Sequence, residues 1–119
     1  MTDVLPITSH GIPFSVRLVR TGDRYGRDMC LVHEDAVPMI EFYDARRTGP
    51  GFDPGLGQFI SRYCATTLTA ASPTSQRNLD HGLLLDPSSP HWWVDGPEMQ
   101  AVITWARARI EDARPAGNA

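Results

Sequence analysis

The sequence contains no lysine, so all eleven of its basic residues are arginine. Without lysine, the glycines of residues 48–57 cannot form a nucleotide-binding P-loop, which requires that side chain. No run of about 18 apolar residues occurs, so no segment is predicted to span a membrane. The first twelve residues lack a basic cluster followed by an apolar stretch, so no secretory signal is predicted.

Cysteine is scarce as well. Cys30 and Cys64 are the only two, and they lie far apart, each inside an apolar segment. This spacing is not that of a paired metal-ligand motif, and it predicts buried free thiols in the reducing cytoplasm. No metal and no cofactor are expected.

The composition that remains is that of a globular protein. The 119 residues are 41% hydrophobic and 21% charged, with a formal net charge of -3. This length predicts one domain with a core large enough to fold without disulfides. An acidic chain lacks the broad basic surface that non-specific nucleic-acid binding needs, so nucleic acid is the less favoured partner.

Hydrophobic periodicity predicts the secondary structure. Alternating apolar residues predict strands over residues 14–20, 29–33 and 39–43, joined by connections too short for parallel pairing. Apolar residues at three- and four-residue steps predict a helix over 58–71. Two short strands are predicted at 82–86 and 91–94. Asp95 is predicted to cap a last helix, whose buried stripe comprises Met99, Val102, Ile103, Ala106 and Ile110.

These elements define an α+β fold in the order β-β-β-α-β-(β)-α. An antiparallel sheet of four or five strands carries two helices packed on one face. Residues 1–12 are expected to be a flexible segment, 13–112 a single domain and 113–119 a frayed tail.

The face of the sheet without helices is the first candidate site. Two helices cover only one side, so the other is expected to expose a mixed apolar and charged patch of the kind that marks interfaces. Trp92 and Trp93 are adjacent on an extended segment and must face opposite ways, so one of them is available to a partner. The predicted interaction residues are Arg17, Val19, Met39, Glu41, Tyr43, Trp92 and Trp93.

A basic loop is the second candidate site. Loop 20–27 combines arginines, which bind phosphate bidentately, with a tyrosine on which a base can stack. If strands one to three form a simple meander, this loop and the segment after strand three lie at the same end of the sheet. The predicted phosphate or nucleic-acid contacts are Arg20, Arg24, Tyr25, Arg27, Arg46 and Arg47. A solvated turn with internally paired arginines is the competing interpretation.

Acid–base chemistry is the weakest candidate. Histidines and carboxylates occur near one another in sequence at His33, Glu34, Asp35, Asp44, Asp80, His81 and His91. Adjacent strand residues point to opposite faces, and no spacing gathers metal ligands. An enzyme with a concealed His/Asp site is therefore the third alternative.

Four strings and one tryptophan carry a resemblance to a known family. They are VRLVRxGDxYG (16–26, where x is any residue), CLVHE (30–34), EFYD (41–44), GQFISRY (57–63) and Trp93, which leads into the last helix. Over about residues 12–110 the sequence resembles a family of short uncharacterised proteins encoded on bacterial integrative and conjugative elements. The resemblance implies a cytoplasmic accessory protein of a mobile element, a setting rich in small proteins that bind host machinery, and it assigns no functional residue.

The sequence thus favours a non-enzymatic cytoplasmic protein that binds another protein or a second copy of itself. A small nucleic-acid or phosphate binder acting through loop 20–27 is the alternative.

Overall fold

A four-stranded antiparallel sheet organises the protein, whose computed structural model describes residues 4–19, 38–69 and 80–112. The strands of this sheet lie in the order β1-β2-β3-β4, and β5 and β6 form a separate two-stranded ladder. The elements are β1 (Val4–Ser9), β2 (Ile12–Val19), β3 (Met39–Asp44), β4 (Gln58–Cys64), α1 (Ala65–Thr69), β5 (Leu83–Leu84), β6 (Trp93–Val94) and α2 (Gly96–Asp112). The fold is α+β, as predicted.

The amino-terminal hairpin differs from the expectation of a flexible segment over residues 1–12. β1 pairs with β2 along its whole length. The two-residue turn uses His10 and Gly11, with φ values of 53° and 76°, the left-handed conformation that a type I′ hairpin turn requires. β1 is an edge strand, and its exposed Pro6 is tolerated there because an edge residue has no partner for its missing N–H.

β2 and β3 confirm the strands predicted over 14–20 and 39–43 to within two residues. The two strands pair directly, with Arg17 opposite Glu41 and Val19 opposite Met39. The strand predicted at 29–33 lies outside the described residues. Because β2 and β3 are antiparallel neighbours, the last residue of β2 lies at the same end of the sheet as the first residue of β3.

The helix predicted over 58–71 is wrong for its first half, where the structure has strand β4. A β-bulge explains the misleading spacing. Phe42 is opposite Ser61 and Tyr43 is opposite Phe59, so Ile60 is an extra residue in β4. Ile60 packs against the core with Tyr63, three residues later. The bulge therefore places the apolar residues of a strand at the three-residue spacing that is typical of a helix. The segment forms β4 and pairs with β3, and it does not form a helix.

The core lies on one face of the sheet, beneath α2, which packs across β1 and β2. Four of the five residues of the predicted stripe are fully buried: Met99, Val102, Ile103 and Ala106. They meet sheet residues such as Phe14, Val16, Ile40 and Phe42. Each buried side chain of this size stabilises the fold by about 1.5–3 kcal/mol.

The second predicted helix on this face is not confirmed. In the described ranges α2 is the one long helix, and α1 is a single turn that follows β4 directly. The strands predicted at 82–86 and 91–94 are shorter than expected and pair with each other outside the main sheet. No helix in these ranges is long and apolar enough to cross a membrane.

Gly57 provides a test of how the β3–β4 connection closes. Its φ is 116°, and a Cβ placed there would collide with the carbonyl oxygen of Asp44. We expect Gly57→Ala to lower the free energy of unfolding by about 3 kcal/mol or more, measured by urea denaturation. Gly51→Ala is the matched control, since its φ of 93° is also positive but nothing lies within 4 Å. Gly51→Ala should lower the free energy of unfolding by about 1 kcal/mol. Equal losses in the two variants would contradict the close approach of Gly57 to the Asp44 carbonyl.

Candidate functional site

The buried carboxylate of Glu41 is the centre of a charged cluster on the face of the sheet opposite α2. Arg17 donates to Oε1 from Nε and Nη2 at 3.1 and 2.7 Å, and the Tyr43 hydroxyl donates to the same oxygen at 2.7 Å. Arg62 donates to Oε2 from Nε and Nη2 at 2.8 and 2.5 Å. The carboxylate thus joins three neighbouring strands and has both oxygens satisfied, as a buried charge requires.

The protonation states of the cluster follow from these contacts. Burial by itself would raise the pKa of Glu41, but hydrogen bonds from Tyr43, Arg17 and Arg62 outweigh it and hold the pKa below its ordinary value of 4.5. Burial and the Glu41 carboxylate raise the pKa of Tyr43, which therefore stays a hydrogen-bond donor. A carboxylate held between two arginines in this way is stabilised in its ionised form and is not poised to exchange protons near neutral pH.

Aromatic rings complete the cluster. The Arg17 guanidinium lies 5.5 Å from the centre of the Tyr43 ring, and that of Arg62 lies 5.2 Å from the centre of the Phe59 ring. Phe59 and Tyr43 meet edge to face with their centroids 5.6 Å apart. These contacts fix the two arginines in place, and of the residues in this cluster only Phe59 is largely exposed, at 45%.

The burial of this face changes the interpretation of the predicted interaction patch. Arg17, Met39, Glu41 and Tyr43 do share one face, as predicted, but Met39, Glu41 and Tyr43 are only 1–2% exposed. Arg17 and Val19 are half-buried. A side chain buried within its own chain offers no area to a partner, so Met39, Glu41 and Tyr43 add little surface to the interaction patch, which stays a prediction.

A second buried carboxylate, Asp44, lies at the end of β3 where the β1–β2 hairpin turns. Its oxygens accept hydrogen bonds from the backbone N–H, Nε and Nη2 of Arg46 at 3.0, 3.0 and 2.8 Å, and from Trp92 Nε1 at 3.1 Å. The Arg46 hydrogen bonds are the main reason that the pKa of Asp44 lies below its ordinary value of 3.8. Asp44 thereby fixes Trp92 beside the end of the sheet.

Asp95 holds the other tryptophan. It precedes α2, as predicted, and its Oδ1 accepts from Trp93 Nε1 at 2.9 Å and lies 2.8 Å from His10 Nε2. Its backbone N–H donates to Ser9 Oγ at 2.9 Å. These bonds tie the start of α2 to the β1–β2 hairpin, so the segment that carries both tryptophans is attached to the sheet at two points.

The two attachments create a groove that we call the hairpin-end cleft. It consists of two adjoining depressions of about 400 Å³ each, and both are lined by Ile12 and His91. The first is completed by His10, Pro90 and Trp93, and the second by Arg46, Arg47, Ser89 and Trp92. Predicted residues from two different candidate sites, the tryptophans and the last two arginines, therefore meet in one cleft.

Only two of the predicted phosphate contacts, Arg46 and Arg47, lie within the described residues. Arg20, Arg24, Tyr25 and Arg27 lie outside the described residues. Arg46 and Arg47 follow β3, and Ala45 donates its backbone N–H to the carbonyl of Pro13 at 2.9 Å. Arg46 and Arg47 therefore lie at the end of the sheet where β2 begins. The last residue of β2 lies at the opposite end. β2 and β3 are direct antiparallel neighbours, so the end of β2 lies at the other end of the sheet from Arg46 and Arg47. The predicted convergence of these two arginines with loop 20–27 stays a prediction, because the loop lies outside the described residues.

The acid–base residues form no common site in the described parts of the chain. His33, Glu34 and Asp35 lie outside those parts, Asp44 is committed to Arg46 and Trp92, and His91 faces the cleft. No three histidine, cysteine, aspartate or glutamate side chains in the described ranges come close enough together to hold a metal ion.

Several residues of both sites were missed by the sequence analysis. Arg62 and Phe59 reach the Glu41 cluster only because residue 58 begins a strand. His10 reaches the cleft through a hairpin that was not predicted. A signal for that hairpin exists, because a glycine at the second position of a two-residue loop, with alternating residues on either side, is typical of type I′ turns.

Comparison with known proteins adds no assignment. No protein-family model, curated protein or solved structure matches the chain. The resemblance to proteins of integrative and conjugative elements stays a prediction from the sequence, and the interpretation of the cleft depends on its own geometry.

The Glu41 cluster yields a graded prediction for stability. Glu41→Gln removes the charge shared by two arginines, so we expect a loss of about 3 kcal/mol in the free energy of unfolding. Tyr43→Phe removes one hydrogen-bond donor and should cost only about 1 kcal/mol. Urea denaturation followed by circular dichroism measures both. A Glu41→Gln variant as stable as Tyr43→Phe would show that the carboxylate is not the element that holds the cluster.

The lowered pKa values of Glu41 and Asp44 predict acid sensitivity. A carboxyl with a lowered pKa in the folded state stabilises the fold fully above its unfolded pKa, and this contribution disappears as the pH falls through the folded value. The free energy of unfolding should therefore fall as the pH drops below about 4.5. Denaturation curves from pH 7 to pH 3 test this, and Glu41→Gln should show a shallower fall. An identical pH dependence in that variant would refute the assignment to Glu41.

Proposed function

We propose that the protein is a non-enzymatic binding module that recognises a segment of another protein in the hairpin-end cleft. The observation that carries the proposal is that the adjacent tryptophans and the two arginines after β3 line adjoining depressions, with Trp93 in one and Trp92 and both arginines in the other. The two pairs meet there although 44 residues lie between them in sequence. Tryptophan and arginine are the residues most enriched at the energetic centres of protein interfaces.

The size and rigidity of the cleft favour a short protein segment. Its volume is that of a site for a few side chains. Trp92 and Trp93 are fixed by the carboxylates of Asp44 and Asp95, so binding requires little ordering of these side chains. A preformed aromatic surface loses less conformational entropy on binding than a mobile one, and more of the contact energy appears as affinity.

The charge distribution argues against nucleic acid as the ligand. The formal net charge is -3. Two of the described arginines share Glu41, and Arg46 is paired with Asp44. Pairing of this kind neutralises the positive potential that a phosphate backbone would need. The nucleic-acid alternative depends on loop 20–27, which lies outside the described residues.

Pairing of two copies of the chain through the edge strand β1 is disfavoured, which leaves another protein as the favoured partner of the cleft. Self-association of small antiparallel sheets often proceeds by pairing of edge strands. β1 carries Pro6 on its exposed edge, and proline lacks the N–H that such pairing needs. The resemblance found in the sequence would place the partner among host proteins, in keeping with an accessory role on a mobile element.

Selection from a phage-displayed random peptide library tests the proposal. We expect enriched peptides whose addition shifts the indole N–H signals of Trp92 and Trp93 in the nitrogen–proton NMR spectrum and leaves that of Trp105 unchanged. Trp105 is the internal reference because it lies in the middle of α2. No enrichment, or shifts confined to Trp105, would overturn the proposal.

A pair of matched variants locates the binding. His91 lines both halves of the cleft, and His91→Ala should weaken the selected peptides at least about tenfold. His81→Ala makes the same change at another exposed histidine and should leave affinity unchanged. Equal affinities for the two variants would place the binding outside the cleft.

A further inference from the structure

We infer that the segment accepted by the hairpin-end cleft carries a carboxylate that binds Arg47, next to an apolar side chain that packs on Trp93. This inference rests on the proposed function and specifies the chemistry of the partner: an acidic peptide in which aspartate or glutamate adjoins an apolar residue.

The side-chain partners of the arginines single out Arg47. Five of the six arginines in the described ranges use their guanidinium groups within the chain: Arg17 and Arg62 on Glu41, Arg46 on Asp44, Arg107 on the carbonyl of Thr69, and Arg109 on the ring of Trp105. Arg47 has no such partner in that part of the chain, and its side chain is exposed and lines the cleft. Its guanidinium thus retains five donors in the planar fork that binds a carboxylate bidentately.

The nearby acidic residues do not compete for Arg47. Asp44 is fully buried, and its carboxylate already accepts four hydrogen bonds, from Arg46 and Trp92. Asp95 is engaged by His10 and Trp93. Both carboxylates are held by other donors, so neither Asp44 nor Asp95 supplies the negative charge for Arg47, and among the described residues that charge is left to the ligand.

The other half of the cleft has a different character. Ile12, Pro90 and Trp93 present apolar surface there, whereas Arg46, Arg47 and Ser89 present polar groups in the Arg47 half. Ile12 and His91 belong to both halves, so the two subsites adjoin. A ligand that fills both must carry its charge and its apolar group within one or two residues of each other.

Arg46 contributes to this recognition less than Arg47 does. Its Nε and Nη2 donate to Asp44 at 3.0 and 2.8 Å, which uses one side of its fork. The charge of Arg46 is balanced by that carboxylate, whereas no acidic side chain in the described ranges balances Arg47. The ligand carboxylate is therefore expected to depend on Arg47 more strongly than on its neighbour.

Short synthetic peptides test this inference directly. The probes are acetylated and amidated pentapeptides with Leu-Asp or Asp-Leu at their centre, each paired with the peptide in which asparagine replaces aspartate. Dissociation constants are measured by NMR titration, with the indole signals of Trp92 and Trp93 as the readout and Trp105 as the reference. We expect one order of Leu and Asp to bind, and its asparagine counterpart to bind at least about tenfold more weakly.

Two variants with the same change in net charge provide the control. Arg47→Gln should remove the preference for aspartate over asparagine. Gln100→Glu also lowers the net charge by one, but at an exposed position in the second turn of α2 that does not line the cleft, and should preserve the preference. An Arg47→Gln variant that still prefers aspartate, or a wild-type protein that binds both peptides equally, would overturn the inference.

The outcomes separate this inference from the proposed function. If aspartate and asparagine peptides both shift Trp92 and Trp93, and His91→Ala weakens both, the cleft binds peptides and only the acidic preference is refuted. If no peptide in this set shifts those signals but library-selected peptides do, the inferred ligand chemistry is wrong while the binding module stands. If neither set binds, both proposals fail.

Discussion

The ion pairs of Glu41 are the constraint on which the rest of the sheet depends. One carboxylate at the centre of β3 binds Arg17 of β2 and Arg62 of β4, so three strands are connected on the face away from α2. A buried charge is tolerated only when its hydrogen-bonding capacity is used, and here Tyr43 supplies the remaining donor. Because each arginine lies directly opposite Glu41, a slip of β2 or of β4 by one residue would remove one of the two arginines from the carboxylate. The cluster therefore specifies strand register as well as contributing to stability.

The two faces of the sheet are stabilised by different physical means. One face buries apolar side chains beneath α2, where area removed from water provides a non-directional stabilisation. The other relies on hydrogen bonds and cation–π contacts, which demand specific geometry. A directional network on one side and a packed core on the other leave the ends of the sheet as the places where exposed polar groups can gather. The hairpin-end cleft lies at one such end.

Asp44 and Asp95 connect this framework to the cleft. Each lies at the boundary of a regular element, β3 or α2, and each accepts a hydrogen bond from one of the two tryptophans. The sequence indicated that Trp92 and Trp93 face opposite ways, and the structure agrees, since only Trp92 packs against the core. It did not indicate that the arginines after β3 lie beside them. That proximity follows from the pairing of β2 with β3, which brings the end of β3 to the start of β2.

Local pattern was sufficient for the α+β class, for strands β2 and β3, and for the last helix with its buried stripe, because each has a clear periodicity over its own length. It was insufficient for β4, where a bulge reproduces helical spacing, and for the burial of Met39, Glu41 and Tyr43. The burial of a side chain on a partly apolar face depends on its neighbours across the strands, and these are distant in sequence. The sequence alone therefore determined which residues carry charge and aromatic surface. Only the tertiary structure decided which of these charges are paired within the fold and that, among the described residues, none pairs with the guanidinium of Arg47 at the cleft.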